Sequence, residues 1–247
     1  MFIGTYRLAG HTIRIDSIFD EVQTLCRDYA TTQSPEFCVT TTAAEIADEC
    51  RQSDAERQLE GLPPYRFPDS YLETLVVYRH IAEALRPMGV LLMHGSVIAV
   101  DGQGYMFTAL SGTGKSTHVR LWRQLFGERA VMVNDDKPLV YVPSDPAQPA
   151  VVYGTPWDGK HHLSTNIAVP LKAIVELNRG SENQISRITP MQMFSTLMQQ
   201  TFRTSDTSAT LHTMQLLGQL SERVAFYRLH CNMNPEAALV AYQGMNE

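Results

Sequence analysis

Cysteine is scarce in this 247-residue chain, and none of the four (Cys26, Cys38, Cys50 and Cys231) stands in a C-x-x-C pair. A zinc site gathers its ligands at closer spacing, and His161-His162 lies far along the chain from every cysteine. The four read as free, mostly buried thiols of a reducing compartment. No run of five basic residues occurs, and 20 Lys and Arg against 26 Asp and Glu give a formal net charge of −6. That balance argues against coating nucleic acid or an anionic membrane. Long hydrophobic runs are missing as well. The longest candidate, Gly89 to Val100, is broken by His94 and Ser96 and stops at Asp101, short of the roughly 20 apolar residues that a spanning helix needs. Met1 to Arg7 place no basic segment ahead of an apolar core, so no signal peptide is expected and the reading is a soluble, cytoplasmic protein.

What is present is 44% hydrophobic residues, enough for a sizeable core in one or two domains. Weak alternation around Gly10 predicts a hairpin over residues 1–15, and Glu36 to Thr40 reads as another strand. Thr42 can cap a helix from Ala43 to about Arg51, with Glu45 as its capping-box partner. Gly61-Leu62-Pro63-Pro64 and Pro68 read as a connection. Leu72, Leu75, Val76, Ile81, Ala82 and Leu85 recur at helical spacing, and Pro87 and Gly89 end that helix. Two β runs follow, Val90 to Val100 and Gly104 to Thr108, joined by the hairpin signal Asp101-Gly102. Lys115 to Phe126 is helical in period, with Gly127 as its stop. Further strands are expected at 130–133, 138–142 and 150–153. Leu171–Leu177 and Gln184–Ile188 read as a hairpin through Gly180-Ser181. Helices at 190–202, 207–224 and 235–242 and a strand at 225–230 complete the pattern. Residue 87 is the expected division, with a small α+β region at 1–87 and a catalytic domain at 88–247.

Ala109-Leu110-Ser111-Gly112-Thr113-Gly114-Lys115-Ser116-Thr117 matches the phosphate-loop pattern G-x-x-x-x-G-K-[ST] except at its first position, where Ala109 replaces glycine. Gly112 and Gly114 allow the backbone angles that turn successive N–H groups into one concavity. The helix starting at Lys115 adds its positive dipole end. Lys115 is a point charge for the outer phosphates, Ser116 offers a hydroxyl to Mg²⁺, and Thr117 reaches an inner phosphate. A nucleoside triphosphate, ATP with Mg²⁺, is the ligand expected.

Twenty residues after Lys115, a strand ends in Asn134-Asp135-Asp136. In phosphate-loop enzymes a second strand brings a carboxylate to the metal. Of two adjacent carboxylates, one can hold the metal and the other can accept a proton, although Asp-Asp-Lys-Pro is also good turn chemistry. His94 lies in a β run beside Gly95, either as a structural residue or at the site. The polar segment Gly154 to His162 can close over nucleotide or substrate, with Trp157 and Lys160 as candidate substrate contacts. Equally, it can be a surface loop whose Trp157 plugs the core.

A His-Gly β run, an Asp-Gly turn, a strand entering Ser111-Gly112-Thr113-Gly114-Lys115-Ser116, a helix, and a strand ending in Asp135-Asp136 together resemble the catalytic domain of HPr kinase/phosphorylase. The loop is also similar to that of ATP-dependent phosphoenolpyruvate carboxykinase. The resemblance covers residues 88 to 180. It implies an α/β fold with a twisted mixed sheet wrapped around the phosphate loop. It also implies that Ser111 to Thr117 bind the triphosphate, that Ser116 and one aspartate (taken as Asp136) serve Mg²⁺, that Asp135 is the base, and that His94 sits near the phosphates or metal. Val151-Val152-Tyr153-Gly154 lacks the Glu and Arg that such kinases carry before the matching glycine, so phosphorolysis is not implied. The expected activity is phosphorylation of a hydroxyl, a serine foremost, on a peptide, protein or small molecule. A non-catalytic nucleotide-binding regulator and a carboxykinase-like enzyme are the alternatives. Neither nucleic acid nor membrane is an expected partner, and a homo-oligomer is left open.

Overall fold

A computed structural model describes residues 1–246 apart from Glu60, Leu62, Pro64, Ser111 and Lys160. The chain forms two compact units, Met1–Ala84 and Leu85–Glu247.

In the first unit, β1 (Phe2–Leu8) and β2 (His11–Ser17) form the expected hairpin, with Ala9 and Gly10 both at positive φ in the turn. After the short helix α1 (Glu21–Cys26) comes β3 (Phe37–Thr40), which lies parallel to β2. Helix α2 (Ala43–Leu59) opens on the predicted capping box, in which Glu45 N donates to Thr42 Oγ1 and Thr42 N to Glu45 Oε2. It runs past Arg51, because no glycine or proline interrupts the chain before Gly61. Leu62 and Pro64 of the predicted connection lie outside the described residues. Helix α3 (Asp69–Leu85) carries the buried stripe Leu72, Val76 and Ile81.

The second unit starts with a 3₁₀ turn, Arg86–Met88, closed by Gly89 at φ 84°. It continues with β4 (Val90–Leu92), β5 (Ser96–Val100), β6 (Gln103–Thr108), α4 (Lys115–Phe126), β7 (Ala130–Asn134), β8 (Leu139–Tyr141) and β9 (Val151–Tyr153). Then come β10 (Ala168–Arg179), β11 (Gln184–Ile188), α5 (Pro190–Gln200), α6 (Thr207–Ser221), β12 (Ala225–Cys231) and α7 (Glu236–Gly244).

The long strand β10 organises the sheet. Its first residues pair antiparallel with β9, which continues through β8 to β4. Its later residues lie between β6 and β12, parallel to both. β5 pairs antiparallel with β6 and with β7, so β7 runs in the same direction as β6. The C-terminal ends of β6, β7, β10 and β12 therefore share one edge, the place where open α/β sheets take ligands.

Side-chain alternation then builds a core on each face. Val97, Met106 and Ile174 join Met193, Leu197, Leu217 and Phe226 on one face. Ile98, Tyr105, Phe107 and Val175 join Trp122, Ala238 and Ala241 on the other. Trp122 is fully buried among Tyr105, Phe107, Phe126 and Tyr242.

Two expectations are corrected. The β run Val90–Val100 divides into β4 and β5, because at its centre His94 N donates to Gln200 O (2.7 Å) and Gly95 N to Asp136 O (2.9 Å). β10 and β11 are not a hairpin, because β12 lies between them, parallel to one and antiparallel to the other. Among the described residues, no helix is long and apolar enough to cross a membrane. Cys26 and Cys231 are buried, whereas Cys38 is exposed and Cys50 intermediate.

Glu73 holds the first unit together from inside. Its fully buried carboxylate accepts from Ile18 N (2.6 Å), Phe19 N (2.8 Å) and the Thr41 hydroxyl. Glu73→Ala leaves two backbone donors without that acceptor, so it should cost about 3 kcal/mol, the upper range for a hydrogen bond to a charged group. Urea denaturation followed by circular dichroism measures this, and a loss under about 0.5 kcal/mol, the level of an ordinary surface change, would contradict it.

Candidate phosphate and carboxylate site

Strand β6 ends at Thr108, and the chain enters the glycine-rich loop at Ala109, which is buried. Gly112 (φ 74°) and Gly114 (φ 120°) take backbone angles that an L side chain resists, although a Cβ at either would meet open space. Glycine is required here for conformation, not for room. Thr113 N and Oγ1 both donate to Leu110 O, which closes the turn. Gly114 O then accepts the first helical bond, from His118 N, and α4 begins at Lys115. Ser111 lies outside the described residues.

Lys115 Nζ donates to Ala109 O at 3.1 Å. Burial lowers the lysine pKa, against the opposing pull of Asp136 and Asp135. The loop cation and the acidic pair are thus within electrostatic reach of one another. The Ser116 hydroxyl is near enough to Asp135 to draw its pKa down. Thr117 and His118 occupy the first turn of α4.

The acidic pair owes its position to β7. Asn134, fully buried at the strand end, accepts on Oδ1 from Asp136 N (2.8 Å) and Lys137 N (2.7 Å). This is Asx-turn geometry, so the turn chemistry and the site coexist. Asp135 is 6% exposed, and its Oδ1 accepts from Ser96 Oγ at 2.8 Å. Burial raises the Asp135 pKa, and the Ser96 and Ser116 hydroxyls and the charge of His161 offset that only in part. Asp136 behaves in the opposite way. Burial raises it, but the His94 bond and the neighbouring Lys137 outweigh burial and hold it below the usual carboxylate range. His94 Nε2 lies 3.2 Å from Asp136 Oδ1. Two adjacent carboxylates with oppositely displaced pKa values are a common arrangement for dividing proton and charge work.

Gly154 to His162 closes on the same spot. Asn134 Nδ2 donates to Thr155 O (3.1 Å), Thr155 Oγ1 (3.0 Å) and Trp157 O (3.4 Å). A Cβ on Gly154 would collide with Thr165 O and lie 2.6 Å from Val133 O, so only glycine fits this close approach. Gly159 lies beside Asp135, and a Cβ added there would stand 3.4 Å from Oδ2. Asp158 ties the segment to itself, with Oδ1 2.9 Å from His162 Nδ1 and Oδ2 accepting from Ser164 N. Trp157, expected as a substrate contact, is 5% exposed; this large apolar ring is buried rather than presented to solvent. Lys160, the other expected contact, lies outside the described residues.

Two features escaped the sequence reading. Arg179, at the end of β10, donates from Nη2 to Gly112 O (2.6 Å) and, weakly, from Nε to Thr113 O (3.4 Å). Ser96 and Ser116 both engage Asp135. Only the position of Arg179 at the expected end of a strand could have signalled its role.

The raised Asp135 pKa has a consequence for stability. An aspartate whose folded pKa lies above its unfolded value of about 3.9 stabilises the fold in its neutral form, and that contribution is lost as pH rises through the folded value. Asp135→Asn keeps an oxygen for Ser96 and removes the buried charge. The ligand-free variant should melt at a higher temperature than wild type at pH 7, and the gap should close near pH 3. Thermal scans at both pH values check this, and an equal or lower melting temperature at pH 7 would refute it.

No family model matches the chain, and no curated protein matches its sequence. Among solved structures it is similar to the Hpr(Ser) kinase/phosphatase from Coxiella burnetii, at 8% identity and a TM-score of 0.33, over 63% of this chain and 94% of that one.

Proposed function

We propose that this protein is an ATP- and magnesium-dependent kinase that phosphorylates a hydroxyl group, a serine of a peptide or protein first among the acceptors. The observation that supports it is the meeting of the loop helix with the acidic pair. The Ser116 hydroxyl is near enough to Asp135 to lower its pKa, and Lys115 is in electrostatic reach of both aspartates. The residues present fit magnesium. The Ser116 hydroxyl and the two carboxylates are hard oxygen donors, and magnesium takes one or two carboxylates while substrate phosphates and water fill its remaining positions. Asp136, already held as an anion beside His94 and Lys137, supplies the standing negative charge for it. When bound, the metal would neutralise charge on the phosphate oxygens.

The chain's own residues supply the rest. The backbone N–H groups of the Gly112–Gly114 turn and the start of α4 cradle the β- and γ-phosphates, and Lys115 leaves Ala109 O to reach them. Asp135, with its raised pKa, is the better proton acceptor of the two. It takes the proton from the acceptor hydroxyl. The new O–P bond forms at the γ-phosphorus as the bond to the β–γ bridging oxygen breaks, and ADP leaves. Gly159, next to Asp135, places the 154–162 segment where it shields this transfer from water.

Lys115→Ala should weaken Mg-ATP binding about 10-fold or more, the loss of a charged hydrogen bond, with an unchanged circular dichroism spectrum. Asp135→Asn should bind Mg-ATP nearly as wild type and transfer phosphate at least about 100-fold more slowly, as removal of a general base requires. Asp136→Asn should raise the magnesium concentration needed for half-maximal rate. Calorimetry follows binding, and mass spectrometry follows the gain of one phosphate on serine-containing peptides. Wild-type affinity in the Lys115 variant would exclude the loop as the nucleotide site.

A further inference from the structure

Strand β10 sends Val175 and Leu177 into the core beneath α4, and alternation puts Arg179 next on that face. The strand is fixed at this point. Arg179 is in register with Cys231 of β12, and Gly180 N donates to Cys231 O (2.9 Å). On its other side β10 runs beside β6, with Glu176 opposite Thr108, the last residue of the strand that feeds the glycine-rich loop. Arg179 therefore stands level with the loop itself.

Its donors go to backbone carbonyls there, Nη2 to Gly112 O (2.6 Å) and Nε, more weakly, to Thr113 O (3.4 Å). Packing does little to fix the loop at its two glycines. A Cβ on Gly112 or Gly114 would meet open space, and the loop, the first turns of α4 and Arg179 line a cavity of about 510 Å³. Thr113 is tied within the turn, by its N–H and its hydroxyl to Leu110 O.

A trans peptide is planar, and its N–H and C=O point in opposite directions. A guanidinium that takes Gly112 O and Thr113 O to one side therefore turns the N–H groups of Thr113 and Gly114 to the other. Each of these two peptide planes adjoins a glycine, which adopts either sign of φ at little cost. An inverted plane would present an oxygen where a phosphate needs a donor. Hydrogen bonds from a charged donor are roughly twice as strong as neutral ones, so the grip of Arg179 biases both planes against inversion.

Resting on the reading of this loop as the nucleotide site, we propose that Arg179 is a positioning residue. It holds the loop carbonyls outward, keeps the Thr113 and Gly114 N–H groups turned toward the phosphates, and sets the loop in its binding state before a ligand arrives. A ligand that meets a loop only fractionally in that state binds more weakly by the same fraction, whatever else the ligand carries. The mark of this role is an equal loss for every polyphosphate ligand.

Calorimetric titration of the full-length protein with Mg-ATP, Mg-ADP and Mg-tripolyphosphate tests this. Arg179→Ala should weaken all three by one common factor, about fivefold or more. The factor should hold at about 0.05 M and about 0.5 M salt, a range over which attraction by an exposed, distant charge is screened away. The side chain is exposed, so the circular dichroism spectrum should match wild type. Arg179→Lys, which keeps the charge and a donor, should recover part of the loss for each ligand. A loss for ATP and tripolyphosphate but not for ADP would make Arg179 a γ-phosphate contact and overturn the inference. A loss for both nucleotides but not for tripolyphosphate would make it a nucleoside contact, with the same result. A factor that falls to one at high salt would reduce Arg179 to a remote charge and also overturn it. Wild-type affinity for all three ligands in Arg179→Ala, with binding still lost in Lys115→Ala, would overturn the inference and leave the nucleotide site standing. Unchanged binding in Lys115→Ala would remove the site and the inference together.

Discussion

The candidate site depends on one buried amide. Asn134 lies at the end of β7 with no exposed surface, and each end of its side chain engages a different segment. The oxygen folds the chain after β7 so that Asp135 and Asp136 leave the strand in a fixed turn. The nitrogen reaches across to Thr155 and Trp157 and holds the 154–162 segment against the same spot. Neither segment has a regular ladder of its own at this point, so a side chain does the work that sheet pairing does elsewhere. A group buried this way is costly to leave half satisfied. The acidic pair and the segment beside it are therefore coupled in position.

The acidic pair shows how environment divides two chemically identical neighbours. Asp135 is enclosed and bonded by the Ser96 hydroxyl, and burial dominates. Asp136 meets the imidazole of His94 and the ammonium of Lys137, and opposite charge dominates. One residue of displacement along a turn is enough to reverse the sign. The segment that ends β4 contributes to both, with Gly95 N bonded to Asp136 O and Ser96 Oγ to Asp135. The break in the Val90–Val100 run is thus the point where the sheet meets the acids.

Local chemistry was legible in the sequence wherever the deciding residues were neighbours. The Asp101-Gly102 turn, the Thr42–Glu45 capping box, the Gly89 and Gly127 stops and the strand–loop–helix frame around Lys115 all depend on contacts a few residues long. What failed was non-local. The insertion of β12 between β10 and β11 depends on pairings some fifty residues apart, for example Glu176 with Arg228, and no turn signal reports them. Alternation in β11 is equally compatible with either partner. The hold of Asn134 on the Trp157 carbonyl, and the approach of Ser116 to Asp135, likewise join segments distant in the chain. Motif spacing named the residues of the candidate site; their pairwise partners required the topology.

The chain has two tryptophans, and both are enclosed, Trp122 fully and Trp157 nearly so. Trp122 donates to His118, which lines the cavity beside the glycine-rich loop, while the carbonyl of Trp157 is held by the asparagine that shapes the acidic turn. The tryptophan emission of the protein thus comes from two enclosed indoles, one behind each half of the candidate site. Their spectrum reports enclosed surroundings and not the protein surface, and a ligand that disturbs either half acts on a native optical label through a single intervening side chain.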